Sequence, residues 1–239
     1  MPSVLIETGR RLSALLEKQD DSADRRELVA EIHDFLSMLD GIKPVFLHGR
    51  GLAPSSWVEH VRSIAEDLGL RVIEGPFWDA TDYEEFPEWY AGHCRVELEP
   101  YRAWYVCNDE TVAEFVKNIN DVGGRLAMTE EAQLLGYPEC CVNAHYDRTR
   151  QYHSGTVAIL KRLANGDDIK MQELFAGGAQ LDPVTQQEID DFDAAFDVYE
   201  PLIGSWNMCP ACAHGANSAS KILSRQYSDV IQKAELRLG

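Results

Sequence analysis

Two short stretches concentrate the residue types that bind metals or attack electrophiles: Gly136-Tyr-Pro-Glu-Cys140-Cys141-Val142 and Trp206-Asn-Met-Cys209-Pro-Ala-Cys212-Ala-His214. Each places cysteine at or just before an expected helix N-terminus. There, exposed N–H groups and the helix dipole stabilise the thiolate, the form that ligates metal or acts as nucleophile. A Cys-x-x-Cys loop brings two sulfurs to one ion and supplies half of a zinc or iron–sulfur site. Cys141 and His145 are four apart on an expected helix and share a face. Cys141, His145, Cys209 and Cys212 would therefore make a closed, structural three-sulfur, one-nitrogen zinc site. If instead only one of Cys140 and Cys141 joins Cys209 and Cys212, three thiolates could hold a four-iron cluster with one iron open to a substrate. Neighbours on a helix lie about 100° apart, so one of the pair is expected to face the site. The plainer alternative is that these cysteines are small buried hydrophobes and His145 a core residue. Cys94 and Cys107 are read that way, with His93 beside Cys94 noted.

A metal-free thiol–disulfide pair at Cys209 and Cys212 is a rival reading. A thioredoxin-like scaffold places a helix, further strands and a proline loop after such a pair, more than residues 213–239 supply. Redox function is thus expected only on another scaffold. His48-Gly49-Arg50-Gly51 lies between an expected strand and helix and could cradle a phosphate or carboxylate, or be an ordinary tight turn. It lacks the third glycine of the dinucleotide fingerprint and the Gly-Lys-Ser/Thr of a P-loop. Neither a His-Glu-x-x-His nor a Gly-x-Ser-x-Gly motif occurs.

Composition narrows the partners. Of 239 residues, 45% are hydrophobic and 26% charged, enough apolar content for a core, and the formal charge of -18 disfavours nucleic acid. No apolar run approaches the roughly 20 residues that cross a bilayer, so membrane insertion is not expected either. The first charges follow a short apolar stretch broken by Glu7, the wrong order for a secretory signal, and a cytoplasmic location is expected. Six cysteines in such a compartment point to metal binding or thiol chemistry rather than a disulfide scaffold. Residues 72–101 carry eight acids against Arg95, interleaved with Phe77, Trp78, Tyr83, Phe86, Trp89, Tyr90 and Tyr101. They could hold a cationic or amine-bearing small molecule by charge and ring-face attraction. The bland alternative is core aromatics beside a solvated acidic face.

The elements that must position these residues follow from periodicity. Leu28, Val29, Ile32, Phe35, Leu36 and Leu39 mark a helix that Gly41 stops, with Ser22 as a candidate N-cap and a weaker leucine stripe before it. Residues 1–41 thus read as a helical hairpin. Residues 44–73 read as strand, helix, strand, which predicts parallel pairing through a right-handed crossover. Ala103–Cys107 reads as a third strand, followed by a helix to Ile119. Helices are then expected from Thr129, from Pro138, over the acidic stretch 182–200 and from Ser218. The expected fold is α-rich α/β: a hairpin (1–41), a small mainly parallel sheet with crossover helices (42–124), and a helical half carrying the cysteines (125–239). With no repeat and no low-complexity linker, one compact unit is expected.

At Leu134-Leu-Gly-Tyr-Pro-Glu-Cys140-Cys141-Val142, followed by Cys209-Pro-Ala-Cys212, the chain resembles a family of uncharacterised archaeal and bacterial proteins. The resemblance covers roughly residues 100–230 and implies that the four cysteines act as one set, without implying a reaction. The combined expectation is a metal- or iron–sulfur-dependent enzyme acting on a small molecule. The alternatives are a zinc-stabilised module for a cationic partner, whose binding would weaken with salt, and the metal-free thiol–disulfide enzyme.

Overall fold

The computed structural model describes residues 2–19, 25–49, 55–76, 85–98, 102–122, 129–130, 132–177, 181–196, 203 and 206–236. Helices α1 (Pro2–Leu16) and α2 (Arg25–Leu39) form the expected hairpin. The candidate cap Ser22 lies outside the described residues. Gly41 ends α2 as predicted: at φ 81°, it lets Ile42 N–H reach back 2.9 Å to the Ser37 carbonyl. Helix α2 is more central than its apolar stripe suggests, because every residue from Ile32 to Met38 is buried, including His33, Asp34 and Ser37. Leu12 and Leu16 of α1, Phe46, Trp57 and Val61 pack around it.

Strands β1 (Phe46–Gly49), β2 (Arg71–Pro76) and β3 (Arg102–Cys107) make one sheet in the order β1-β3-β2, with α3 (Ser55–Asp67) crossing from β1 to β2. The expected parallel pairing is overturned. β1 and β2 do point the same way, as a crossover demands, but β3 lies between them and runs antiparallel to both. The reason is burial. Ala103 to Cys107 are all buried, so β3 has the continuous apolar character of a central strand, whereas Arg71 and Glu74 keep β2 at an edge. One face of the sheet carries the row Phe46, Val106, Val72 toward α2 and α3. The other carries Leu47, Tyr105 and Ile73 toward α5 (Glu110–Val122). The fold class is α-rich α/β, with a small antiparallel sheet.

Helix α4 (Glu88–Leu98) precedes β3, and after α5 helical residues at 129–130 and 132–134 lead to α6 (Glu139–Leu163). There follow α7 (Asp168–Phe175), α8 (Pro183–Ala194), the five-residue α9 (Pro210–His214) and α10 (Ala219–Lys233). Within the acidic stretch 182–200, α8 is capped by Asp182, with Phe192 stacked on Tyr152 of α6, and residues 197–200 lie outside the described residues. Helix α10 returns to the hairpin, where Val230 and Ala234 join the core of α1 and α2. The last helix therefore fastens the cysteine region to the first two.

Candidate metal centre

The approach to α6 is shaped by Gly136 and Pro138. Gly136 closes the preceding helical segment at φ 71°, and a Cβ there would sit 3.3 Å from the Cβ of Lys43. Pro138 then caps α6 in an extended conformation, and its carbonyl accepts from Cys141 N–H (2.8 Å) and Val142 N–H (3.0 Å). Cys140 and Cys141 consequently stand in the first turn of a 25-residue helix. On the other side Cys209 is the N-cap of α9, Pro210 is its first residue, and Cys212 N–H donates to Cys209 Sγ at 3.4 Å. Ser218 caps α10 and donates its hydroxyl to the Cys212 carbonyl at 2.8 Å. Three helix N-termini thus converge on the sulfurs, with their positive dipole ends toward them.

The Sγ atoms of Cys140, Cys141, Cys209 and Cys212 all lie within 4.8 Å of one another. Cys140 and Cys212 are in contact at 3.5 Å, and none of the four is in a disulfide. The expectation that only one of Cys140 and Cys141 could face the site is therefore replaced by a set that includes both. The hook from 206 to 220 touches each in turn: Cys209 N–H donates to Cys141 Sγ at 3.3 Å, while Cys212 meets Cys140. Trp206 and Ser220 brace the hook from behind. Trp206 Nε1–H donates to Ser220 Oγ at 3.0 Å, and Ser220 Oγ lies 3.1 Å from Cys141 Sγ. Trp206 opens the Cys-x-x-Cys stretch and carries no role in the sequence reading, and Ser220 lies outside both motifs.

Electrostatics separates the four. Burial opposes the Cys212 thiolate, but the N–H and hydroxyl of Ser220 and the neighbouring thiols more than offset it and hold Cys212 below the ordinary thiol range. Cys140 is an exposed residue, but partial desolvation of its sulfur against the packed thiols, followed by the crowding of those sulfurs, pushes it up. Cys141 is also pushed up, burial outweighing Ser220 and the Cys209 N–H. Among the bare thiols, negative charge is favoured on Cys212 and disfavoured on Cys140 and Cys141. A divalent cation reverses that balance, since it favours every thiolate at once. The donor set fits a thiophilic metal: four sulfurs, three of them buried, with hydrogen bonds from N–H and hydroxyl groups around them.

His145 is not part of this set. Its Nδ1 lies 3.2 Å from Arg148 Nη2 and 3.3 Å from Asn207 Nδ2, one turn along α6 from the sulfurs. Cys94 and Cys107 are buried in other clusters, as packing residues would be. Of the candidate anion loop, Arg50 and Gly51 lie outside the described residues, and Gly49 ends β1. His48 is a fully buried strand residue whose Nδ1 lies 2.8 Å from Glu31 Oε1, and the other oxygen of Glu31 accepts from Trp57 Nε1–H at 2.6 Å. In the acidic and aromatic stretch, Phe77, Trp78, Tyr83 and Tyr101 are likewise outside the described residues. Phe86, Trp89 and Tyr90 pack with Phe175 and His153 in a cluster under α6 and α7.

A second polar group, of which only Tyr137 lies in a motif, adjoins the sulfurs. Lys43 is wholly buried, and its Nζ lies 3.3 Å from Asp34 Oδ2, an ion pair without hydrogen-bond alignment. The Tyr137 hydroxyl points at the same oxygen from 3.5 Å, and its ring lies 4.9 Å under the ammonium. Tyr227 is buried beside them, its phenol pushed up by burial first and then by Asp34. Trp206 bridges the two groups, its ring against both Tyr137 and Tyr227. No helix among the described residues is long and apolar enough to cross a membrane. Compared with protein-family models, curated proteins and solved structures, the chain matches none.

Proposed function

We propose that this protein is a zinc–thiolate protein in which Cys140, Cys141, Cys209 and Cys212 hold one ion. The observation that carries the reading is the 4.8 Å limit on every sulfur–sulfur distance. A tetrahedral zinc with Zn–S near 2.3 Å spaces its sulfurs by about 3.8 Å. A four-iron cluster interposes a cube of irons and sulfides and spreads its cysteines further, so the compact set favours a single ion over the open-cluster alternative. When bound, such an ion keeps its ligand sulfurs deprotonated and links their elements. Here the linked elements are the start of α6 and the α9–α10 hook, and through α10 the N-terminal hairpin. All four positions are filled by side chains of this chain, so any chemistry at the centre falls to the sulfurs rather than to an open coordination position.

Elemental analysis of protein purified without oxygen tests this. The expected result is one zinc per chain and no visible absorbance; iron with broad visible absorbance overturns it in favour of a cluster. Replacing Cys209 or Cys212 by Ser should lower the zinc content, and a full load in both variants would sink the proposal. Metal-free protein that closes Cys140–Cys212, the pair in contact at 3.5 Å, would instead support thiol–disulfide chemistry.

A further inference from the structure

The four sulfurs are not equivalent. Cys141, Cys209 and Cys212 are buried, and the first two are close to N–H or hydroxyl donors. Cys141 receives the Cys209 N–H and lies 3.1 Å from the Ser220 hydroxyl, and Cys209 receives the Cys212 N–H. Such bonds draw electron density from sulfur and must weaken when the sulfur forms a new bond. Cys140 is exposed, and among the described residues its close partners are other sulfurs, with no N–H or hydroxyl donor. It stands on the first turn of α6 beside exposed Glu139, in a chain of net charge -18.

Resting on the zinc reading, we infer that Cys140 is the reactive ligand of the centre, accepting an alkyl group from a soft, neutral or cationic donor. The Cys140 Sγ lone pair attacks the carbon that carries the leaving group; the S–C bond forms as the carbon–leaving-group bond breaks. The leaving group departs with its electron pair, and no oxidant, reductant or proton is consumed. The product is a thioether at Cys140, one negative charge fewer at the centre, and three thiolates left in place. Neutral and cationic donors are favoured because a tetrathiolate around a divalent ion carries two negative charges, and Glu139 adds another nearby.

The test uses the full chain loaded with zinc, iodoacetamide as the neutral probe, iodoacetate as the anionic one, and peptide mapping by mass spectrometry. Iodoacetamide should label Cys140 first, with the three buried sulfurs about tenfold slower or more. Iodoacetate should label Cys140 more slowly than iodoacetamide does. Equal labelling of all four sulfurs, or an unlabelled Cys140, in protein shown to hold one zinc overturns the inference and leaves the zinc reading intact. Protein that takes up no zinc overturns the zinc reading itself. Loading with 113Cd separates a reactive ligand from an exposed bystander. The cadmium resonance should move away from its tetrathiolate position as Cys140 is alkylated, and an unmoved resonance with Cys140 labelled refutes the assignment.

Discussion

Asp34→Asn isolates the buried pair that seats the cysteine region on the hairpin. The Lys43 ammonium is fully enclosed, and at 3.3 Å the attraction to Asp34 is about 5 kcal/mol for an effective dielectric near 20. That attraction offsets a desolvation cost of several kcal/mol, so the intact pair contributes little net stability. Removing the carboxylate charge leaves the cost without the attraction, and Lys43 escapes by losing its proton. Burial already holds Lys43 below the ordinary lysine value of 10.5, with Asp34 acting in the opposite direction. Burying it neutral at pH 7 costs at most the 3.5 pH units to that value, about 4.8 kcal/mol. A loss of about 3–5 kcal/mol follows, or about 6–20 °C in Tm for a domain of this size. The same cap falls to about 2 kcal/mol at pH 9, so the deficit must shrink as pH rises. Urea unfolding of both proteins at pH 7 and 9 reads this directly. Adding Lys43→Met should recover most of the loss. A deficit under about 1 kcal/mol at pH 7, or one that does not change with pH, would refute the argument.

Other outcomes follow from the same structure. His33 is held neutral by burial, opposed by Asp34, with its pKa lowered from 6.5 to about 4. The unfolded chain therefore binds more protons than the folded one between those values. Stability should fall by about 3 kcal/mol as pH drops from 6.5 to 4, and His33→Gln should flatten that limb in acid titrations of unfolding. Removing zinc with a chelator should lower Tm, because an ion present at a thousand times its Kd stabilises by about 4 kcal/mol. An unchanged Tm after verified metal loss would argue against a linking role for the ion.

What the sequence disclosed was local. The two cysteine stretches and the helix starts near Pro138 and Ser218 each depend on a few adjacent residues; the structure puts both residues at the cap, one position before their helices begin. The sheet order was not legible, since strand direction follows from the crossover while strand position depends on which strand is buried on both faces. The Asp34 group was also hidden. Its members stand at positions 34, 43, 137 and 227, and each alone looks like an ordinary surface residue or core aromatic. Adjacent cysteines on one helix exclude each other only for a partner that approaches one face. The hook instead meets Cys141 with the Cys209 backbone and Cys140 with the Cys212 sulfur.

The Leu-Gly-Tyr-Pro stretch before the cysteines therefore has a mechanical reading that can be tested through metal affinity. Tyr137 reaches the Asp34–Lys43 pair, Pro138 starts the helix, and Gly136 lets the backbone cross Lys43 closely enough for both. In Gly136→Ala the left-handed φ of 71° costs about 1–2 kcal/mol, and the new methyl meets Lys43 at 3.3 Å. Lys43 cannot yield outward, being enclosed and paired, so the strain falls on the entry to α6, four and five residues before Cys140 and Cys141 respectively. If it is relieved by moving those sulfurs, zinc affinity drops by about tenfold for each 1.4 kcal/mol transferred. Competition against a chromophoric chelator measures that drop, and unfolding of metal-free protein measures the remainder. A Gly136→Ala protein with wild-type zinc affinity but lower metal-free stability would show that the strain stops at Lys43. Unchanged values for both would mean that the close crossing at Gly136 positions nothing.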